Sequence, residues 1–430
     1  MSKYDHASLV MIPSGFKAEK LYSVLPENGN GDFTHDRNGS TATRVNKDGY
    51  VETASADVPR LDYSLINGVV QDCPHLLLEP QRTNLYKYHT LRLETTQSNA
   101  TKTANTTDVL SPANDNTATK LTTTVKSTEG KSGVIAKTAD GNNHNFTANT
   151  DYVSSVFVKK GTFDFIQFTL ENFSGFAASV YFDVSTGAVG TETNATGFIE
   201  NYGNGWYRCS MKFNLGSNAD LSGRVLFRFA ESDGDNNVPR TGAESMYFWG
   251  AQLEEGSYPT SLIQTDGTSE TRSADVCNGA GTSAEFNDSE GVLYVETEPF
   301  IDGDFQSQYI SLSDGTSGDN FVAIQHRNTG QLRIYAGGFD TANIQFLENL
   351  DMAQNLKIAA QYKENDYKLF VNGTQYSLYS SGGNQPSLSG LSQLDFTVRG
   401  GSNQKWFAKV KQLAVFNQAL TDSELVALTT

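Results

Sequence analysis

Residues 247–276, YFWGAQLEEGSYPTSLIQTDGTSETRSADV, divide the chain. Tyr247, Phe248 and Trp249 stand in a row, which suits a strand in a core. The chain then turns at Glu254-Glu255-Gly256 and runs on through Thr, Ser and Gly, a composition of loops. The pattern predicts the last strand of one domain followed by a linker into the next. A short echo accompanies it. "TATRVNKDGYVETASADVPR" near the N-terminus and "SETRSADV" here both place a Thr-Arg ahead of an Ala-Asp-Val.

On the N-terminal side of this seam the pattern is that of strands. "YVSSVFVKK" and "FDFIQFTLENF" alternate with a period of two. "AASVYFDVSTGAVG", "GNGWYRCSMKF", "GRVLFRFAE" and "SMYFWGAQLEE" follow at short intervals, separated by Gly, Asn and Asp. Such spacing predicts a β-sandwich. Residues 91–150 are rich in Thr, Asn and Ser, and short apolar stretches such as "TATKLTTTV" and "SGVIAK" predict edge strands belonging to the same domain, 91–276. Beyond the seam a second set runs from "GVLYVETEPF" to "KWFAKVKQLAVFNQAL" and predicts another all-β sandwich, 285–430. It closes in "LTDSELVAL", where Thr421 and Glu424 fit a capping box. Residues 1–90 are poor in apolar residues and dense in turns, so they predict an irregular segment that packs on a neighbour or on another chain. Within it "NKDGY" predicts a turn between short hairpin strands. The fold class is therefore all-β: two jelly-roll sandwiches in tandem after an irregular N-terminal segment.

Composition bounds the partners. The 430 residues carry 32 basic and 49 acidic side chains, a formal charge of −17. That charge repels phosphate backbones, so nucleic acid is not an expected partner. Nothing approaches a membrane-spanning apolar run, and the N-terminus does not read as a signal peptide. Cys73, Cys209 and Cys277 are far apart and odd in number, which suits neither a disulfide framework nor zinc and fits a reducing cytoplasm.

The N-terminal "STATRVNKDGYVE…ADVPRLDY…LLLEPQRTNL" resembles the segment that opens many tailed-bacteriophage structural proteins. Residues 203–213 and 247–263 resemble a carbohydrate-binding-module-like jelly roll. "YKLFVNGT" (367–374) and "KVKQLAVFNQALTDSELVAL" (409–428) resemble a laminin-G/concanavalin-A-like lectin domain. The resemblance implies a phage virion protein, a fibre, spike or head-fibre component assembled in the host cytoplasm. Residues 1–90 would attach it to other virion proteins or oligomerise it. Its lectin-like domains would make weak multivalent contact with host-surface polysaccharide, in a homotrimer. A capsid decoration protein without ligand and a polysaccharide-degrading enzyme are the alternatives.

Candidate chemistry is sparse. Glu296 and Glu298 of "YVETEP" share a strand face, but Pro299 follows and no aromatic platform adjoins them, so no catalytic residue is assigned. The six histidines fall at no ligand spacing, and no GxSxG elbow occurs. Glycan sites in sandwiches use an aromatic ring flanked by hydrogen-bonding side chains. Candidates are Trp406 with Arg399 and Gln404, then Trp206 and Trp249. The latter two lie in fold-defining motifs and read first as core, which leaves Trp406 as the expected exposed ring. Turns holding Asp233 and Asp235 ("ESDGDNN"), and Asp314 and Asp319 ("SLSDGTSGDN"), could hold Ca²⁺, although Asp-Gly is also an ordinary turn dipeptide.

Overall fold

The computed structural model describes residues 4, 6–92, 95–300, 307–316, 320–337, 343–346, 350–351, 354–376, 379–380, 388–399 and 404–430. Among these, Asp422–Thr429 is the single α-helix, and the rest of the regular structure is almost entirely strand. The helix opens on the expected capping box. Thr421 accepts from the Glu424 backbone N–H, and the Glu424 carboxylate reaches back to the Thr421 N–H.

The middle sandwich packs a seven-stranded sheet on a six-stranded one. The first is built around Ser222–Ala230 and Phe165–Glu171, the second around Ser245–Glu255 and Asp151–Lys160. Asp151–Lys160 lies centrally, paired with Trp206–Asn214 on one side and Ser245–Glu255 on the other. Its burial is nearly continuous, and Val153, Ser155 and Phe157 are as buried as Val156 and Val158. A sandwich alone would expose the outer face. Here the outward row, Phe157 with Trp249 and Trp206, forms a separate apolar cluster with Val51 and Leu262, so a further layer covers the sheet.

That layer combines Val51 of the N-terminal segment with residues 109–118 and Leu262 of the seam; residues 1–90 themselves are held mainly by the C-terminal sandwich. The segment has no core of its own, and the structure resolves how it is held. Two of its strands pair end to end along Ala408–Phe416 in the C-terminal sandwich. Leu9–Met11 takes one half (Leu9 opposite Val415) and His75–Leu78 the other (Leu76 opposite Val410). They complete an eight-stranded sheet that faces a six-stranded one. Leu9, Met11, Leu76 and Leu78 enter the same core as Leu293, Ile310 and Ile324. The apolar residues of "LLLEP" are therefore covered by their own chain. The hairpin Ala42–Val45 with Val51–Ala54 forms around "NKDGY" as expected and lies over the middle sandwich.

The seam 256–278 is not a free linker. Glu270–Arg272 pairs with Arg82–Asn84, and Val276–Asn278 pairs with Thr34–Asp36. Between them lies a buried charge cluster. Arg60 bonds Glu79 at 2.7 Å and also the Asp275 carboxylate. Arg272 meets Glu79 at 2.8 Å, and Arg37 meets Asp275 at 3.0 Å. Ser261 donates to Glu79 from both its backbone N–H (2.8 Å) and its hydroxyl (2.6 Å). The guanidiniums of Arg60 and Arg272 and the carboxylate of Glu79 are all at least 96% shielded from solvent. Burial alone would raise the Glu79 pKa. Arg272 and Arg60 outweigh it and hold the carboxyl far below the usual range. The echo between "ASADVPR" and "TRSADV" is not a structural repeat, because Asp275 binds guanidiniums whereas Asp57 accepts the backbone N–H groups of Arg37 and Gly39.

Candidate functional site

A cleft of about 760 Å³ lies where the N-terminal hairpin, the middle sandwich and the seam meet. Four stretches distant in sequence build it. The hairpin supplies one wall with Thr43 and Thr53. Thr43 is tied to the Leu262 carbonyl at 2.6 Å, and Thr53 donates to Gln264 at 3.1 Å. The seam supplies the second wall through Gln264, Thr265 and Asp266. The loop 89–92 and the turn around Asp115 supply the third.

Buried polar side chains set these backbones. Asn84 donates to the carbonyls of Ala251 (3.1 Å) and Ile263 (2.9 Å) and accepts from the N–H of Leu253 (3.1 Å) and Tyr86 (3.1 Å). It therefore stitches the last strand of the sandwich to the seam with every polar atom engaged. Glu254 accepts from the Thr260 N–H (2.9 Å) and hydroxyl (2.7 Å), and Gln252 accepts from the Ile263 N–H at 2.7 Å. The rim is exposed and rich in hydrogen-bonding groups: Arg92, Asn105, Asp115, Gln264, Asp266 and Glu270. Arg92 Nη2 donates to both carboxylate oxygens of Asp266 at 2.6 Å across it. His89 sits deeper, within 2.8 Å of the Thr265 carbonyl and edge-on to Trp249 at 5.8 Å. Burial pushes its pKa down, so it is neutral near pH 7. Thr265 is 2% exposed and its hydroxyl has no partner.

All three tryptophans are buried, Trp206 and Trp249 as their fold-defining motifs suggested and Trp406 against the expectation of an exposed ring. Trp406 is 1% exposed, packed edge-on against His326 at 4.6 Å, with its indole N–H directed at Thr297 (3.3 Å). The strand start that suggested exposure is covered by the facing sheet of its own sandwich. Gln404 is exposed, but its carbonyl serves the Tyr309 N–H, and Arg399 lies over the Phe321 ring at 5.4 Å. Trp206 is buried and donates to the Leu110 carbonyl at 2.9 Å. Trp249 is also buried and donates to Thr117 at 2.8 Å, but it forms part of the cleft floor. Of the five sugar candidates, only Trp249 belongs to the cleft.

The aspartates expected at calcium are occupied by turn hydrogen bonds. Asp233 accepts from the Thr191 N–H (2.7 Å) and hydroxyl (3.0 Å) of a neighbouring hairpin. Asp235 accepts from the Asn237 N–H at 2.9 Å, and Asp314 from Thr316 at 2.9 and 2.7 Å and from Asn320 at 3.0 Å. Asp319 lies outside the described residues. Among the described residues no three acidic, His or Cys side chains converge as a metal site. Because these carboxylates already serve turn hydrogen bonds, chelation with EDTA is expected to move the melting temperature by less than about 1 °C. A larger fall in a thermal scan would restore calcium to these turns. Glu296 accepts from Asn355 at 3.0 Å and Glu298 lies 3.4 Å from Lys409.

The residues sequence reading missed, His89, Arg92, Asp115, Gln264 and Asp266, share no motif. Each lies in a polar loop, and only the third dimension brings those loops together.

No protein-family model and no curated protein sequence matches the chain. Solved β-sandwiches are similar in fold. The CBM40 module of a Ruminococcus gnavus IT-sialidase, bound to α2,3-sialyllactose, is 17% identical over 36% of this chain and 94% of that one, with a TM-score of 0.30. A SAP-like pentraxin from Limulus polyphemus is 13% identical over 36% of this chain and 74% of that one, with a TM-score of 0.29. The NanB sialidase of Streptococcus pneumoniae is 17% identical over 34% of this chain and 24% of that one, with a TM-score of 0.27. The likeness is one of β-sandwich fold over about a third of the chain, and it assigns no role to any residue. Among the described residues no helix is long and apolar enough to cross a membrane.

Proposed function

We propose that the chain is a non-enzymatic, glycan-binding structural protein of a tailed-phage particle, and that the cleft is its sugar site. One observation carries the sugar reading. A cleft of about 760 Å³ has an exposed rim of amide, guanidinium, carboxylate and hydroxyl groups, held by buried hydrogen bonds beneath. Such a volume matches an ordinary ligand pocket. Side chains that donate and accept in fixed directions suit sugar hydroxyls, which do both. The particle reading rests on the resemblance of the N-terminal segment to phage structural proteins. Several copies held together would turn a shallow sugar contact into retention on a host surface.

The test is a screen of the full chain against immobilised oligosaccharides, repeated with Arg92→Ala and Gln264→Ala. Each substitution removes rim hydrogen bonds without touching the core, and the pair together is expected to weaken binding at least about tenfold. Undiminished binding by the double variant would place the sugar elsewhere. Immunogold labelling of particles with an antibody to residues 285–430 tests the second half. Label on a tail or fibre supports a host-contacting appendage, label over the head favours a decoration role, and absence of label removes the particle reading.

A further inference from the structure

We infer that the cleft selects uncharged glycans and discriminates against carboxylate-bearing ones. The inference rests on the sugar-site reading and deepens it. Three carboxylates, Asp115, Asp266 and Glu270, stand on the exposed rim against one guanidinium, that of Arg92. Arg92 is already committed to Asp266 through two 2.6 Å bonds. The other guanidinium at the cleft, Arg272, is buried and bonded to Glu79, Ser261 and the Pro80 carbonyl. His89, the remaining basic side chain of the lining, is neutral near pH 7. Among the described residues of the lining, an incoming carboxylate therefore meets no cation without a partner already in place, and the rim also carries Asp115 and Glu270. It would have to share Arg92 with Asp266, whose carboxylate stays beside it.

A second feature of the site points to an uncharged ligand. The Thr265 hydroxyl lines the cleft, is almost wholly buried, and has no hydrogen-bond partner. Buried hydroxyls are normally satisfied. A sugar hydroxyl, a donor and an acceptor at once, supplies what this group lacks.

The experiment is a titration of the full chain against paired probes: neutral oligosaccharides, and the same chains terminated by sialic or uronic acid. Repulsion from two rim carboxylates several ångströms away corresponds to about fivefold weaker binding of the acidic partner at low salt. The gap should shrink as salt is raised to about 0.5 M, where screening shortens to a few ångströms. Asp266→Asn removes a rim carboxylate and should raise binding of the acidic probes relative to the neutral ones, so that the ratio between the two narrows. Thr265→Val should weaken neutral probes about fivefold without lowering the melting temperature, because the hydroxyl has no partner to lose in the empty protein. Acidic probes that bind as well as or better than neutral ones would overturn the charge selection and leave the sugar site standing. Failure of every probe would end the sugar-site reading, and this inference with it.

Discussion

Glu79→Ala should destabilise the protein by about 3–5 kcal/mol, the largest single-residue effect expected outside the apolar cores. The reason is arithmetic of charge in a closed space. Glu79 is the shared acceptor of Arg60, Arg272 and Ser261. Removing it leaves the Arg272 guanidinium with neutral partners only and leaves Asp275 to balance Arg60 and Arg37. An uncompensated buried charge costs far more than an intact pair contributes, so the loss exceeds what any surface ion pair could produce. Urea denaturation of the full chain would measure it as a lowered midpoint. Pairing the change with Arg272→Met should recover part of the loss, since the second substitution removes the stranded charge; a double-mutant cycle reads that coupling. A cost below about 1 kcal/mol for Glu79→Ala would mean that water reaches the cluster. The cluster also lies behind the cleft, because Arg272 lines it. Glu79→Ala should therefore weaken glycan binding even where the protein remains folded.

This cluster shows what could be read from the sequence and what could not. Arg60 and Glu79 lie in "PRLDY" and "LLLEPQRTNL", and Arg272 and Asp275 in "TRSADV", stretches that attract notice as sequence. Nothing local says that they meet, because Arg60 and Glu79 lie about two hundred residues from Arg272 and Asp275 and no period relates any of them. The sandwiches were legible because alternation is a local signal: "YVSSVFVKK" reads as a strand with no knowledge of its partner. Continuous burial of that strand was not legible, since it arises from a layer assembled from Val51, residues 109–118 and Leu262. The seam was read as a linker from its Thr, Ser and Gly, yet those small residues allow close packing beneath a hairpin as readily as they allow looseness. Trp406 failed for a related reason. A tryptophan after a polar loop looks exposed in one dimension, and the opposing sheet that buries it is invisible there. The cleft was the least legible feature. Its members are ordinary loop residues, and their function lies in convergence alone.

Acidification should unfold the C-terminal sandwich early, and His326 is the reason. Its ring lies on the strand Phe321–Arg327, wholly buried, edge-on to Trp406 at 4.6 Å, with neither nitrogen hydrogen-bonded. Charging it there would place a cation in an apolar core, and burial pushes its pKa from 6.5 down to about 3. The unfolded chain protonates near 6.5, so below that pH the unfolded state binds a proton that the folded state refuses. Stability is thus full above pH 6.5 and drains away as pH falls toward 3. At pH 5 the loss from this one group is about 2 kcal/mol, which lowers the melting temperature of a domain this size by roughly 4–8 °C. By contrast His75, also buried, has the Asp62 carboxylate 3.0 Å away. His326→Leu isolates the contribution. Leucine fills a similar volume with no polar atom to satisfy, so at pH 7 the variant should be as stable as the parent or more so. At pH 5 it should keep about 2 kcal/mol that the parent loses, and the two melting curves should diverge only below pH 6.5. Parallel loss in both proteins across pH 7 to 5 would assign the acid sensitivity to other groups, and His326 would then have to find a partner in solution.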